Sequence, residues 1–230
     1  MKICIIPARG GSKRILKKNI KLFHGKEIIY YSINCALKSK LFDKIIVSTD
    51  DLEIAEVAKK FGAEVPFIRP KNISNDKTET SPVIKHAINF LTKEGLNISD
   101  VCCIYATAPF IHKNDLIKSY NIFKTQKWDF VFPATEFHYP IFRSFEKKDN
   151  DSIKMFYPRH YHSRSQDLKK AYHDAGQFYW GKLKAWKNED KFFSSKSTFL
   201  NIPNWRVNDI DTLEDWTRAE ILFKILKKTN

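Results

Sequence analysis

Ile3-Cys4-Ile5-Ile6-Pro7-Ala8-Arg9-Gly10-Gly11-Ser12-Lys13-Arg14 is the stretch from which the rest of the chain is read. Four consecutive apolar residues running into a turn have the pattern of a buried strand. The strand leads into two glycines. Without a Cβ they let the backbone approach a ligand closely, and their N–H groups can converge on an anion. Arg9, Lys13 and Arg14 add positive charge to the same turn. A loop of this kind, at the carboxyl end of a first parallel strand, is where open α/β sheets bind nucleotides. A basic surface turn after an edge strand is the alternative that these residues alone leave open.

Outward from this loop the pattern alternates. Ile29, Ile33, Ala36 and Leu37 have helical spacing within Glu27 to Lys38, and Lys44 to Ser48 is a short β-branched strand. Thr49-Asp50-Asp51 offers an N-cap for a helix that runs to Phe61, with Gly62 as its closing residue. A third strand is expected over Glu64 to Ile68, and a helix over Ser81 to Thr92. A strand over Val101 to Tyr105, a helix over Lys113 to Thr125 and a strand over Asp129 to Ala134 follow. This alternation predicts a mostly parallel sheet with helices on both faces. Right-handed crossovers would place the loops after the first and fourth strands side by side. From 135 to 162 the periodicity gives way to Phe137, Tyr139, Phe142, Phe145, Phe156 and Tyr157 among prolines and charges. So many large apolar groups point to a β-hairpin excursion that packs against something, either a second subunit or a local minicore. Regular structure resumes at Gln177 to Trp180 and ends in an amphipathic helix from Thr212 to Leu226. No repeat or linker divides residues 1–230, which are expected to form one domain.

At 230 residues, with 43% apolar and 14% aromatic content, the chain can bury a large core. Its net charge of +14 invites a nucleic-acid reading. However, only eight of the 40 basic residues are arginine, and the lysines are scattered along the chain rather than clustered. Most of the charge is therefore read as solvated surface, with no nucleic-acid partner. Cys4, Cys35, Cys102 and Cys103 lack metal-site spacing and read as reduced core thiols of a cytoplasmic protein. No segment reaches the roughly eighteen apolar residues of a membrane helix, and the apolar start is too short for a signal peptide.

Val207-Asn208-Asp209-Ile210-Asp211 places two carboxylates two residues apart in an extended stretch, so both can face one hard cation. Magnesium with triphosphate oxygens is the expected partner. Capping of the final helix by Asp211 is the alternative, and it leaves Asp209 unexplained. Ser163 to Leu168 and Ala171 to Gln177 are rich in polar groups suited to a carboxylated, hydroxyl-bearing ligand, and a solvated turn explains the same composition. Arg164 can grip a carboxylate with two hydrogen bonds, and Gln166, Asp167 and Gln177 can read hydroxyls or amides. His160, His162 and His173 are assigned no metal. The long loop from Lys71 to Ser81 follows Arg69-Pro70 and is read on residue types alone as capping the next helix.

Taken in order, five segments resemble the sugar-acid cytidylyltransferases, the CMP-sialic acid synthetase family. They are Ile6 to Lys13 with Lys18-Asn19, Val47 to Asp51, Gly62 to Phe67 into Arg69-Pro70, Arg164 with Gln166-Asp167-Leu168, and Asp209-Ile210-Asp211-Thr212. The resemblance implies a three-layer α/β nucleotide-diphospho-sugar transferase fold, Rossmann-like, with 135–162 as a β-rich dimerisation excursion. It implies CTP and a nine-carbon sugar acid as substrates. Ala8, Arg9, Gly10, Gly11, Ser12, Lys13, Lys18, Asn19, Arg69 and Thr80 would bind the nucleotide. Asp209 and Asp211 would hold Mg²⁺, acting with Arg9 and Lys13 in catalysis, and Tyr105, Arg164, Gln166, Asp167, Tyr172 and Gln177 would face the sugar. It also implies a homodimer and a product used in glycosylation of bacterial surface structures such as flagellin. There are departures. Tyr105 stands where sialic acid members have a glutamine, Leu16 replaces a proline, and Arg164-Ser165-Gln166-Asp167 replaces Arg-Arg-Gln-Asp. Cys102 to Phe110 and Tyr172 to Trp180 are similar to the branch that activates pseudaminic acid. Activation of N-acetylneuraminate or legionaminate is the alternative.

Overall fold

The computed structural model describes the backbone of residues 1–229 and the side chains of residues 1–226. Strand β1 (Lys2–Pro7) lies inside the sheet between β4 (Lys44–Ser48) and β5 (Asp100–Ile104), parallel to both. Its side chains alternate between two cores, which is why the run is apolar without a break. Cys4 and Ile6 pack under α1 (Ile29–Ser39), α2 (Leu52–Lys60) and α4 (Lys113–Phe123), while Ile3 and Ile5 pack under α3 (Thr80–Lys93) and α5 (Leu183–Asn188). Burying each such side chain contributes about 1.5–3 kcal/mol. The small hairpin of β2 (Leu22–Phe23) and β3 (Lys26–Glu27) precedes α1.

Beyond β5 the sheet becomes mixed. Strand β6 (Phe130–Glu136) is separated from β5 by the antiparallel β10 (Phe178–Lys182), and β11 (Ser197–Asn201) runs parallel to β6 at the far edge. The short β9 (Tyr172–Asp174) pairs antiparallel with the end of β6. Gly181 in β10 is required by close packing, since a Cβ there would stand 2.6 Å from the ring of Phe130. The last helix, α6 (Leu213–Thr229), covers a third cluster in which Phe23, Ile28, Phe110, Ile210 and Trp216 are buried. Among the described residues no helix is long and apolar enough to cross a membrane. All four cysteines are buried and free, and burial pushes their thiols up, that of Cys35 to about 12.

Most expected elements form within a residue or two of their predicted ends. Asp51 caps α2 by accepting from the N–H groups of Glu53 and Ile54 at 2.8 and 3.1 Å, and Gly62 follows at φ +91°. The expected strand over Glu64 to Ile68 does not form. It is reduced to two isolated bridges, Ile46 with Glu64 and Thr49 with Ile68. Pro66 sits between them without an N–H to donate, which breaks a continuous ladder. The excursion after β6 contains a two-stranded hairpin, β7 (Phe145–Lys147) with β8 (Ile153–Met155), that joins no other strand.

Candidate active site

The loop after β1 is braced by the loop after its neighbour β4. The Gly10 N–H donates to Asp50 Oδ1 at 3.0 Å, and the same carboxylate oxygen lies 3.6 Å from Arg69 Nη2. Gly10 therefore turns its N–H to Asp50 rather than joining Gly11 around an anion. A Cβ on Gly10 would stand 2.6 Å from Asp51 Oδ2 and 2.9 Å from Asp51 Cβ, so only glycine fits. Asn19 closes the other side by donating its amide to the Arg9 carbonyl at 2.8 Å. Arg69 is 4% exposed, donates Nε to Ser74 Oγ at 3.1 Å, and has its pKa pulled below the usual arginine value by burial. Arg69 thus ties the 71–81 loop to the glycine loop through Asp50, a link with no sequence periodicity to announce it.

Arg9, Ser12, Lys13, Arg14, Lys18, Asn19, Arg69, Thr80, Tyr105 and Asp211 line one cavity of about 260 Å³ at the carboxyl ends of β1 and β5. The adjacency expected from right-handed crossovers is what brings Tyr105, Ala106 and Thr107 into the same cleft as Arg9. Besides Asp50 beside Arg69, two aspartates neutralise the other four cations. Asp76 accepts from Arg9 Nη1 at 2.8 Å and Lys13 Nζ at 2.6 Å, and the Lys13 hydrogen bond is the main reason its carboxyl sits below the ordinary range. Asp211 lies 2.8 Å from Arg14 Nη2 and 3.1 Å from Lys18 Nζ. Lys18 also donates to the Ile210 carbonyl at 2.7 Å.

The capping question at α6 has a clear answer. Thr212 Oγ1 accepts from the Asp215 N–H at 3.2 Å, and Asp215 Oδ2 accepts from the N–H groups of Thr212 and Asp211 at 2.9 and 3.2 Å. This reciprocal box caps the helix and leaves the Asp211 carboxylate facing the cleft. Asp209 has its pKa raised, first by burial and then by the charge of Asp211. Among the described residues its carboxylate has no hydrogen-bonding partner. Asp209 and Asp211 are hard-oxygen donors two residues apart, a donor set that fits a divalent cation. No group of three His, Cys, Asp or Glu side chains is poised for a metal among the described residues. A cation here would complete its shell with phosphate oxygens and water.

The residues expected to face the sugar are dispersed. Tyr105 reaches the cleft, shares a 3.2 Å hydrogen bond with Thr80 Oγ1, and is pushed up to about 12 by burial. Its ring packs against Tyr179 at 5.5 Å, and the Tyr179 hydroxyl donates to Asp174. Gln177 is 3% exposed and donates its amide to the Arg206 carbonyl at 2.8 Å, a place in the packing behind the site. Arg164 and Asp167 are exposed and pair with each other at 2.8 Å, while Gln166 lines a separate hollow with Phe137 to Ile141. Tyr172 packs against Phe199 with ring centres 4.9 Å apart and planes tilted by 41°, beside a third, aromatic cavity. Within one chain, Arg164, Gln166 and Tyr172 do not line the cleft that holds Arg9 and Lys13.

A braced glycine loop beside a cation-lined cleft and a carboxylate pair, on this mixed α/β sheet, defines a nucleotidyltransferase. The chain belongs to the cytidylyltransferase family, which it matches over residues 3–213. It is 50% identical over 223 residues to a pseudaminic acid cytidylyltransferase of Campylobacter jejuni, covering 97% of this chain and 96% of that protein. It is 30% identical over 226 residues to post-translational flagellin modification protein B of Campylobacter coli, covering 96% and 94% of the two chains. A solved CMP:2-keto-3-deoxy-manno-octonic acid synthetase complexed with CTP shares the fold, with a TM-score of 0.71 at 13% identity over 97% of this chain and 98% of that one.

Proposed function

We propose that this enzyme transfers CMP from CTP to the anomeric C2 hydroxyl of pseudaminic acid, releasing pyrophosphate. The observation that carries the reading is the 50% identity to a pseudaminic acid cytidylyltransferase across almost the whole of both chains. Phosphoryl chemistry asks mainly for positioning and charge neutralisation, and the cleft supplies both. The triphosphate takes the place of Asp76 as counter-ion to Arg9 and Lys13, with Ser12 and Asn19 beside it. Arg69 and Thr80 line the same cleft and would meet the nucleoside. Asp209 and Asp211 would hold Mg²⁺, which would polarise phosphate oxygens and lower the pKa of the attacking hydroxyl. Lys18 steadies Asp211 and the Ile210 carbonyl, holding Asp211 in the cleft, while Asp209 faces an adjoining hollow that Asp211 also lines.

The sugar side is completed by a second subunit. Tyr139 and Phe156 are 77% and 57% exposed, and Phe145 and Ile153 on the hairpin are exposed with them. Such a surface suits burial against another copy of the chain, which would bring Arg164, Gln166, Asp167 and Tyr172 toward the partner's cleft. The product would serve glycosylation of bacterial surface structures such as flagellin, in keeping with the flagellin-modifying relative. CTP use and reduced thiols suit a cytoplasmic site of action.

Pyrophosphate release from CTP and Mg²⁺ with pseudaminic, N-acetylneuraminic and legionaminic acids in parallel tests this reading. Turnover with pseudaminic acid well above the other two is expected. Preference for either of the others would move the substrate within the family.

A further inference from the structure

The segment from Pro203 to Thr212 carries Asp209 and Asp211 but belongs to no strand or α-helix. Only one 3-10 turn, Asn204–Arg206, interrupts it. Its own backbone therefore does not fix where the two carboxylates stand. Its C-terminal half is held by Ile210, buried in the cluster under α6, by Lys18 on the Ile210 carbonyl, by Asp215 on the Asp211 and Thr212 N–H groups, and by Arg218 on Asn208. Its N-terminal half is held by Arg206, whose guanidinium bonds Asp115 with both side chains largely buried. The Arg206 carbonyl accepts the Gln177 amide at 2.8 Å, and its guanidinium lies 5.8 Å from the Trp205 ring centre. Asp115 sits in the first turn of α4, where the helix dipole favours a negative charge. That helix follows the loop whose first residues, Tyr105 to Thr107, form a wall of the nucleotide cleft.

We propose that the buried Arg206–Asp115 pair, backed by Gln177, positions Asp209 and Asp211 for the divalent cation by tying their segment to the cleft wall. Neither Arg206 nor Asp115 lines the cleft, so both act through the carboxylate pair. A buried pair that loses one partner leaves an uncompensated charge, and the segment must shift to let that charge reach water. The inference rests on the metal reading of Asp209 and Asp211.

The test uses Asp115→Asn and Arg206→Lys in the full chain, with Asp209→Ala and the distant core variant Ile98→Ala alongside. Mn²⁺ binding to the enzyme–CTP complex is followed by electron paramagnetic resonance, together with CTP affinity without metal, kcat and thermal midpoint. Asp115→Asn is expected to weaken Mn²⁺ binding and lower kcat by about tenfold each, with metal-free CTP affinity changed less than about twofold. Arg206→Lys, which keeps the charge, should recover part of the loss. Ile98→Ala should lower the midpoint without moving Mn²⁺ affinity. Wild-type Mn²⁺ affinity in folded Asp115→Asn would overturn the positioning role. Wild-type protein binding Mn²⁺ no better than Asp209→Ala would instead overturn the metal reading, and this proposal with it.

Discussion

The nucleotide cleft and the region between β6 and β10 are built on opposite plans. The cleft hangs on three adjacent parallel strands, β4, β1 and β5, whose carboxyl ends deliver Asp50, the glycine loop and Tyr105 into one place. Its side chains are braced to each other and to backbone, as with Asp50 between Gly10 and Arg69. The region between β6 and β10 instead uses a short hairpin, 3-10 turns and exposed aromatics, and its polar residues pair locally or face solvent. A phosphate chain is the same in every CTP reaction, so a rigid, self-contained cradle serves it. A sugar acid is what changes between relatives, and a region free of the central ladder can vary without disturbing the cradle.

The sharpest way to break this contrast is at the carboxylates. Asp211→Ala should lower kcat by roughly 10²–10³-fold while metal-free CTP binding survives, measured by pyrophosphate release and calorimetry. Normal turnover would remove Asp211 from the chemistry. The two glycines offer a more local comparison. Gly10→Ala forces a Cβ into Asp51 and should cost about 1–3 kcal/mol of stability and raise KM for CTP, whereas Gly11→Ala meets nothing within 4 Å. Equal effects in chemical denaturation and kinetics would mean that bracing by the β4 loop is not what holds the cradle.

In the other region, Phe156→Glu should shift the protein toward monomer in light scattering and lower sugar turnover while leaving CTP binding intact. A monomeric wild type would remove the reason for those exposed rings. The smallest effect belongs to Asp76→Asn, which removes the carboxylate competing with triphosphate for Arg9 and Lys13. KM for CTP should fall by about twofold to fivefold at neutral pH. The Asp76 pKa is depressed in the folded protein, so its contribution to stability is present above the ordinary carboxylate pKa. That contribution is lost as pH falls through the depressed value. Wild type and variant should therefore converge in acid.

The sequence made the cradle far more legible than the sugar side, and the reason is physical. Apolar runs such as Ile3 to Ile6, the Asp51 cap and Gly62 write local structure in short-range code, and they form as expected. Pro66 overruled an otherwise strand-like stretch. Thr212 and Asp215 had to be seen together before Asp211 could be released from capping. Asp76 against Arg9 and Lys13, Asp50 against Arg69, and Arg206 against Asp115 join residues from nineteen to 91 positions apart, with no periodicity to mark them. Arg164, Gln166 and Tyr172 read as one ligand-facing group in sequence but lie outside the cleft of their own chain.

The most direct test of that division is subunit complementation. Arg9→Ala damages the cradle and Arg164→Ala the sugar side, so each variant alone should be nearly inactive in pyrophosphate release from CTP and pseudaminic acid. Mixed and re-equilibrated in equal amounts, they should regain about a quarter of wild-type activity, since half of the pairs are mixed and each mixed pair keeps one intact site. No recovery, with subunit exchange verified by mass, would contradict a site shared between two chains.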